Sequence, residues 1–396
     1  MGLSIEKIEV LLLVAAVVAM LARRLHVPYS IGLVIAGIGL AVLPFAPMVQ
    51  LTKQLIFTAF LPPLIFEAAI NLRWPELRRE LPVVLVLATI GVLLSAAVTA
   101  LGMHYLVRWA WMSALVFGVL IAATDPVAVI ATFKETKVHG RSRLLVEAES
   151  LFNDCTAAVA FSIVLALAGG ERFGAFGAAK SLLVIVFGAI GFGAAVAFLC
   201  LLLSGATDDH LTEVTFTTVA AYGSFLLAEH FHTSGVLATL TAGLIIGNIG
   251  HLSISARSRK AVEEFWEYAA FFANSLIFLL IGMRVGVQGF KAFLWAAIVA
   301  VALVTFGRAF AIYPCCLLFV KSKLKVSAKH QHILFWGGLR GALALALALG
   351  LPHEMQNRDE IIAVAFAVVA FSILAQGLTI SPLLRFLGEL KGAEKS

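Results

Sequence analysis

Apolar stretches long enough to cross a membrane recur along almost the whole chain. Hydrophobic residues make up 61% of the sequence and charged residues 13%, well below the ~25% charged residues of a soluble domain. A helix needs about 20 apolar residues to cross a ~30 Å hydrocarbon core. At that length the sequence predicts an all-α polytopic membrane protein with about thirteen spans. Their predicted limits are residues 8–22, 29–48, 54–72, 82–107, 112–133, 144–168, 181–203, 211–229, 233–250, 262–283, 292–318, 330–351 and 360–384.

Basic residues are unevenly divided between the two sets of loops that these spans define. One set, with the tail at 385–396, carries 19 of the 29 Lys and Arg residues, and the other set carries seven. Cytoplasmic loops are enriched in Lys and Arg, so the N-terminus is predicted outside and the C-terminus in the cytoplasm of a multi-pass cell (inner) membrane protein. Loops that face anionic lipid explain the net charge of +6, and no nucleic-acid partner is predicted.

Two of the predicted spans are interrupted by residues that break helices. The fifth contains Thr124-Asp125-Pro126, and the twelfth contains Gly337, Gly338, Arg340 and Gly341. An odd span count with termini on opposite sides indicates two inverted six-span halves, spans 1–6 and 8–13. The two interruptions then occupy equivalent positions, which favours a transport site near the membrane midplane over two unrelated kinks.

The sixth predicted span carries Glu149, Ser150, Asn153 and Asp154. Residues four apart share one side of a helix, so these four side chains form two adjacent polar stripes. An ionised group in hydrocarbon costs roughly 2.5–3.5 kcal/mol, which indicates a protected polar site. Asp125 can converge with Asp154 where the fifth and sixth spans meet. Such oxygen ligands suit a proton or an alkali cation better than zinc or copper.

Arg340 is a permanent charge in the middle of a span and therefore needs a carboxylate partner. Glu149 is the predicted partner if the sixth and twelfth spans cross, which leaves Asp154 to bind a proton or a cation in turn. The alternative is that Arg340 pairs with Asp154 in a purely structural bridge. Arg284 and Arg308 lie in no comparable motif, and we expect them to snorkel or to pair locally.

Four segments of the chain resemble the signature motifs of the monovalent cation:proton antiporters, and of NhaP-type sodium/proton exchangers in particular. They are LPPLIFEAA at 61–69, ATDPVAV at 123–129, ESLFND at 149–154 and GLRGALALALA at 338–348. The resemblance covers nearly the whole chain. It implies an NhaA-like antiporter fold with broken helices 5 and 12. It further implies no enzymatic activity, no cofactor, and transport of Na⁺, or of Li⁺ or K⁺, against H⁺.

The resemblance also implies a role for each site residue. Asp154 becomes the carboxylate shared by cation and proton, and the Asn153-Asp154 pair resembles that of electroneutral exchangers, which exchange one sodium ion for one proton. The other implied roles are these: Asp125 as a second acid, Thr124, Ser150 and Glu67 as further oxygen ligands or path residues, Glu149 and Arg340 as a buried ion pair, and Asn153 as the residue that steadies the broken fifth helix through Thr124.

The family fold implies a homodimer that works by alternating access and serves pH and sodium homeostasis. Residues 82–168 and 292–384 form the predicted transport core, and residues 8–72 and 181–283 the predicted dimer-interface domain. Three alternatives remain open from the sequence. A potassium/proton or mixed-cation antiporter uses the same ligand chemistry, a cation channel also needs polar midplane residues, and an intramembrane hydrolase could use Asp125 with Asp154 as acid and base.

Overall fold

The computed structural model describes residues 5–25, 28–43, 51–135, 140–170, 175–253, 255–287 and 293–389, and most of them are helical. We number the helices by span and divide the two broken ones into halves a and b. They are α1 (Ile5–Leu25), α2 (Tyr29–Ala41), α3 (Leu55–Asn71), α4 (Trp74–Val107), α5a (Trp111–Leu120), α5b (Val127–Glu135), α6 (Arg141–Ala168), α7 (Ala175–Ser204), α8 (His210–His230), α9 (Gly235–Ile249), α10 (Ala256–Val287), α11 (Leu294–Leu317), α12a (Ala328–Gly337), α12b (Ala342–Leu349) and α13 (Arg358–Phe386).

Every predicted span coincides with one of these helices or with a pair of half-helices, so the all-α fold class is confirmed. Eight described helices are long and apolar enough to cross a membrane, and α2, α3 and α5a are shorter apolar helices. The predicted end of the second span at 44–48 and the tail residues 390–396 lie outside the described residues. Helix α4 begins at Trp74 rather than at residue 82, because Pro75 lies in the first turn, where a missing N–H costs no hydrogen bond.

The chain divides into two compact units. The first contains residues 1–53, 83–153 and 274–396, and the second contains residues 54–82 and 154–273. The predicted transport core and dimer-interface domain group the spans differently. That division stays a prediction, because compactness does not identify which part of a transporter moves.

Glycines allow close helix packing within the first unit. A Cβ on Gly37 of α2 would collide with the carbonyl of Leu279, and a Cβ on Gly282 of α10 would collide with that of Val34. Gly118 plays the same part for α5a against α4. Small residues at such points let two backbones approach each other in a membrane, where packing replaces the hydrophobic effect as the attraction between helices.

The core of the second unit fixes the rotation of α3. Phe66 packs on Trp266 with ring centroids 4.6 Å apart, and the Trp266 indole donates to the Thr217 hydroxyl at 3.0 Å. A Cβ on Gly247 of α9 would collide with the Ile70 backbone, so α9 also lies directly against α3. With Phe66 buried in this core, the next residue, Glu67, lies on a different and partly exposed face.

Several helices contain a π-helical turn, and the one at the start of α3 has a local cause. It covers Leu55–Phe60 and leads directly into Pro62 and Pro63. A proline has no N–H to donate to the carbonyl four residues earlier. For Pro63 that carbonyl belongs to Ala59, and the Tyr222 hydroxyl donates to it instead at 3.1 Å. Similar turns cover Leu87–Gly91, Met103–Val107 and Ser372–Gln376.

Candidate functional site

The two interrupted helices meet in the first compact unit. The backbone is non-helical at residues 121–126 and at residues 338–341. The N–H of Asp125 donates to the carbonyl of Leu339 at 2.8 Å, which forms an isolated bridge between the two breaks. The predicted pair of interruptions is therefore confirmed, and the two breaks are hydrogen-bonded to each other.

The Asp125 carboxylate lies where two half-helices begin. It accepts a hydrogen bond from the N–H of Val127 at 2.9 Å, at the start of α5b. It also accepts one from the N–H of Ala342, at the start of α12b. Helix N-termini suit anions because their N–H groups point outward without partners. Gly341 makes this approach possible, since a Cβ there would collide with the Asp125 carboxylate.

Helix α6 is joined to the break in α5 by two hydroxyl groups. Ser150 donates to the carbonyl of Thr124 at 2.6 Å, and the Thr124 hydroxyl donates to that of Ser150 at 3.3 Å. Both residues are buried. The expectation that Asn153 steadies this break through Thr124 is corrected here. Ser150 makes that connection, while the Asn153 amide donates to Glu149 at 3.2 Å, one turn earlier on α6.

Glu149 forms a buried, bidentate ion pair with Arg308 of α11. The two guanidinium nitrogens donate to the two carboxylate oxygens at 2.7 and 2.9 Å. A third bond runs from Arg308 to the carbonyl of Leu334 at 2.9 Å. The side chains are only 2% and 6% exposed. The predicted Glu149–Arg340 pair is thus replaced by a Glu149–Arg308 pair, and Arg308 is not a snorkelling residue.

Arg340 instead contributes to the crossing of the two breaks. Its guanidinium donates to the carbonyls of Ala122 and Ala123 at 2.6 and 3.2 Å, just after α5a ends. The last carbonyls of a helix have no partner within the helix and favour a nearby cation. The Arg340 N–H donates to the Ser372 hydroxyl of α13 at 2.6 Å. Arg340 is also a second positive charge near Glu149.

The remaining predicted site residues, Asp154 and Glu67, belong to the second compact unit. Asp154 follows Asn153 on the continuous helix α6 and is partly buried. Glu67 on α3 is also partly buried, and its carboxylate accepts a hydrogen bond from Asn71 at 3.2 Å. Their roles in cation binding stay predictions.

Two residues that the sequence reading did not assign to the site belong to it. Arg308 had a usable signal, because it lies within the apolar helix α11 and a buried guanidinium needs a partner there as much as Arg340 does. Ser372 had no usable sequence signal, since the hydroxyl of a serine in an apolar helix more often bonds to a backbone carbonyl of the same helix.

Two discontinuous helices that cross at a partly buried carboxylate, in a polytopic helical protein, define a secondary transporter with broken helices. The model of the transmembrane sodium/hydrogen exchangers matches residues 11–386 of the chain. The chain belongs to that family, whose members are transporters and not enzymes.

Curated relatives and solved structures agree with this assignment. The chain is 38% identical to the Na⁺/H⁺ antiporter ApNhaP of Aphanothece halophytica, over 92% of this chain and 70% of the relative. It is 35% identical to the Na⁺/H⁺ antiporter NhaP of Pseudomonas aeruginosa, over 87% of this chain and 84% of the relative. The structure of the sodium proton antiporter MjNhaP1 from Methanocaldococcus jannaschii at pH 8 matches with a TM-score of 0.78 and 22% identity, over 97% of this chain and 98% of that one. The last comparison confirms the antiporter fold.

Proposed function

We propose that this chain exchanges sodium ions for protons across a membrane. The observation that carries the proposal is the crossing of two broken helices at Asp125, whose carboxylate is held by the first N–H groups of α5b and α12b. Curated relatives named as Na⁺/H⁺ antiporters support sodium and protons as the two transported ions. Alkali cations bind through oxygen ligands, which this region offers as carboxylates, hydroxyls and freed carbonyls.

Asp154 is the proposed carboxylate for which the proton and the cation compete. Glu149, on the same helix, has both oxygens bonded to Arg308 and is engaged in that pair. We assign to Asp125, Thr124, Ser150 and Glu67 the part of further oxygen ligands or path residues. A core that carries an ionised carboxylate and no cation would pay a large penalty in hydrocarbon. That penalty makes exchange obligatory, because the core moves only when Asp154 is occupied.

We further propose that the exchange is electroneutral, with one sodium ion for one proton. Asn153 precedes Asp154, and its amide is engaged in binding Glu149 at 3.2 Å. An amide cannot release a proton at physiological pH, so the pair Asn153-Asp154 brings one titrating group to the cycle and not two.

The wider setting follows from the same family. We propose a homodimer in a cell membrane with the N-terminus outside and the C-terminus in the cytoplasm. Residues 82–168 and 292–384 form the core that moves, and the physiological role is pH and sodium homeostasis. Potassium/proton exchange is the second candidate, since potassium uses the same oxygen ligands and selectivity depends on cavity size.

Proteoliposomes that contain a pH-sensitive dye test this proposal directly. A sodium gradient should drive proton flux in the unmodified chain and none above background in Asp154→Asn. Glu147→Gln, on the same helix, is the matched control and should transport normally. Wild-type flux in Asp154→Asn would exclude the assigned role.

A second series of the same assay compares sodium, lithium and potassium with and without a membrane potential. A rate that changes with the potential would contradict electroneutral exchange, and flux with potassium alone would favour the second candidate.

A further inference from the structure

A small, partly enclosed cavity lies beside the two buried arginines of the first compact unit. Residues of α11, of the α12 break and of α13 line it, among them Arg308, Gly338, Ser372 and Gln376. The volume open to the centre of a water molecule is about 10 Å³. One ordered water needs roughly 10–15 Å³ by this measure, so the cavity has room for a single water and for little else.

Arg308 directs an unused donor towards this space. Its two terminal nitrogens bond to Glu149 and Leu334. Its Nε is buried and has no hydrogen-bond acceptor among the described residues. A Cβ added to Gly338 would collide with Nε, so the absence of a side chain at 338 keeps this face of the guanidinium open to the cavity. A buried donor without an acceptor is costly, and one water molecule removes that cost.

The opposite wall of the cavity supplies further hydrogen-bonding groups. Ser372 and Gln376 begin and end the π-helical turn of α13, and both are buried. The Ser372 oxygen already accepts from the Arg340 N–H, and its own proton is available to donate. The Gln376 amide offers a donor and an acceptor. With Arg308 Nε these groups give the two to four partners that a buried water requires.

We propose that this cavity binds one ordered water, which accepts from Arg308 Nε and bonds to the Gln376 amide and the Ser372 hydroxyl. The water connects α13 to the Glu149–Arg308 pair, because the guanidinium is then bonded on all its nitrogens. The π turn has a local function in this arrangement, since it brings two polar side chains of an apolar helix to one wall of the cavity.

A structure of the full chain in lipid nanodiscs, at a resolution that shows ordered waters, is the first test. The expected result is a density peak within hydrogen-bonding distance of Arg308 Nε and the Gln376 amide. A direct bond from Nε to Gln376, or a cavity without a peak, would overturn the proposal. A crystal of the full chain grown in a lipidic mesophase with bromide is the second arm, because an anomalous X-ray peak at the site would show that the ligand is an anion and would overturn the proposed water.

Radiolytic hydroxyl labelling gives a second, independent readout. Val368 lines the cavity and is 2% exposed, and Val369, next to it on α13, is 0% exposed. A resident water should label Val368 several-fold more than Val369, although bulk solvent reaches neither. Val304→Ile adds a methyl group inside the cavity and should remove this difference, while Val17→Ile on the exposed face of α1 should keep it. Equal labelling of the two valines in the unmodified chain would refute the resident water.

Discussion

Removing the charge of Glu149 should destabilise the protein far more than removing a charge from an exposed ion pair. In Glu149→Gln the Arg308 guanidinium keeps its charge, stays 6% exposed and loses a bidentate partner at 2.7 and 2.9 Å. Leaving one member of a buried pair uncompensated costs about 3–5 kcal/mol of unfolding free energy. Since 1.4 kcal/mol is a factor of ten, the unfolding equilibrium should shift by roughly two to four powers of ten.

Glu264 of α10 provides the control. It pairs with Lys260 at 3.7 Å, and the two side chains are 68% and 79% exposed. Such an exposed pair is worth about 0–1 kcal/mol, so Glu264→Gln should leave stability nearly unchanged. SDS-driven unfolding in mixed micelles, followed by tryptophan fluorescence, measures both variants on one scale. Similar losses of unfolding free energy in the two variants would refute the claim that burial makes the Glu149 pair the more important one.

A double variant separates the pair from the individual residues. Glu149→Met with Arg308→Met removes both charges and should recover most of the lost stability, because the apolar replacement leaves no unpaired charge. The equivalent cycle with Arg340→Met should show weaker coupling, since Arg340 donates to the carbonyls of Ala122 and Ala123. A stronger coupling of Glu149 to Arg340 than to Arg308 would favour the Glu149–Arg340 pair that the sequence predicted.

Three further substitutions test the crossing of the breaks and one helix end. Gly341→Ala places a methyl group against the Asp125 carboxylate and should lower sodium-driven proton flux by about tenfold or more, because small displacements of a reacting group are costly. Ser150→Ala removes the hydroxyl that donates to the α5 break at 2.6 Å; thermal unfolding should show a loss of about 1–3 kcal/mol, the cost of an unsatisfied buried acceptor. Asp209 accepts from the hydroxyl and then the N–H of Thr212 at the start of α8, and these bonds hold the pKa of its carboxyl below the usual range. A lowered pKa stabilises the fold at neutral pH and ceases to do so as the pH falls through that pKa, so Asp209→Ala should lower the melting temperature at pH 7 and leave it unchanged in strong acid.

Each of these three has an outcome that would count against it. Gly39→Ala controls for the added methyl group, since a Cβ at Gly39 meets no atom within 4 Å; a similar loss of flux there would remove the steric explanation. Unchanged melting in Ser150→Ala would mean that the α5 break does not depend on this hydroxyl. A deficit of Asp209→Ala that persists unchanged in acid would show that the carboxylate is not the stabilising species.

The spans and the two breaks were predictable because their signals are local. A span is a property of about 20 consecutive residues, and Pro126 and Gly338 interrupt a helix through their own backbone chemistry. The predicted interruptions of the fifth and twelfth spans accordingly fall between α5a and α5b and between α12a and α12b. No comparison between distant segments was needed for this part of the fold.

The partner of Glu149 was not predictable in the same way, because it depends on which helices lie side by side. Arg308 and Arg340 both satisfy the rule that a buried guanidinium needs compensation. The prediction preferred Arg340 because it lies in a recognisable motif, and it overlooked a second solution: carbonyls freed by a helix break can also satisfy a guanidinium. The contact with Thr124 was predicted for Asn153 and is made by Ser150 for the same reason, since it depends on the rotation of α6 about its axis.

The bond from the Asp125 N–H to the Leu339 carbonyl joins two main-chain groups, and this has a consequence for mutational scanning. Replacement of either residue by alanine leaves both the donor and the acceptor in place. An alanine scan of the two breaks would therefore report on the Asp125 carboxylate and the Arg340 guanidinium, and would not detect the bond that joins the two non-helical segments carrying them. Only a substitution that alters the backbone and keeps the side chain, such as an amide-to-ester replacement of the 124–125 peptide bond, would expose it. In such data this bond would look dispensable because no side-chain change removes it.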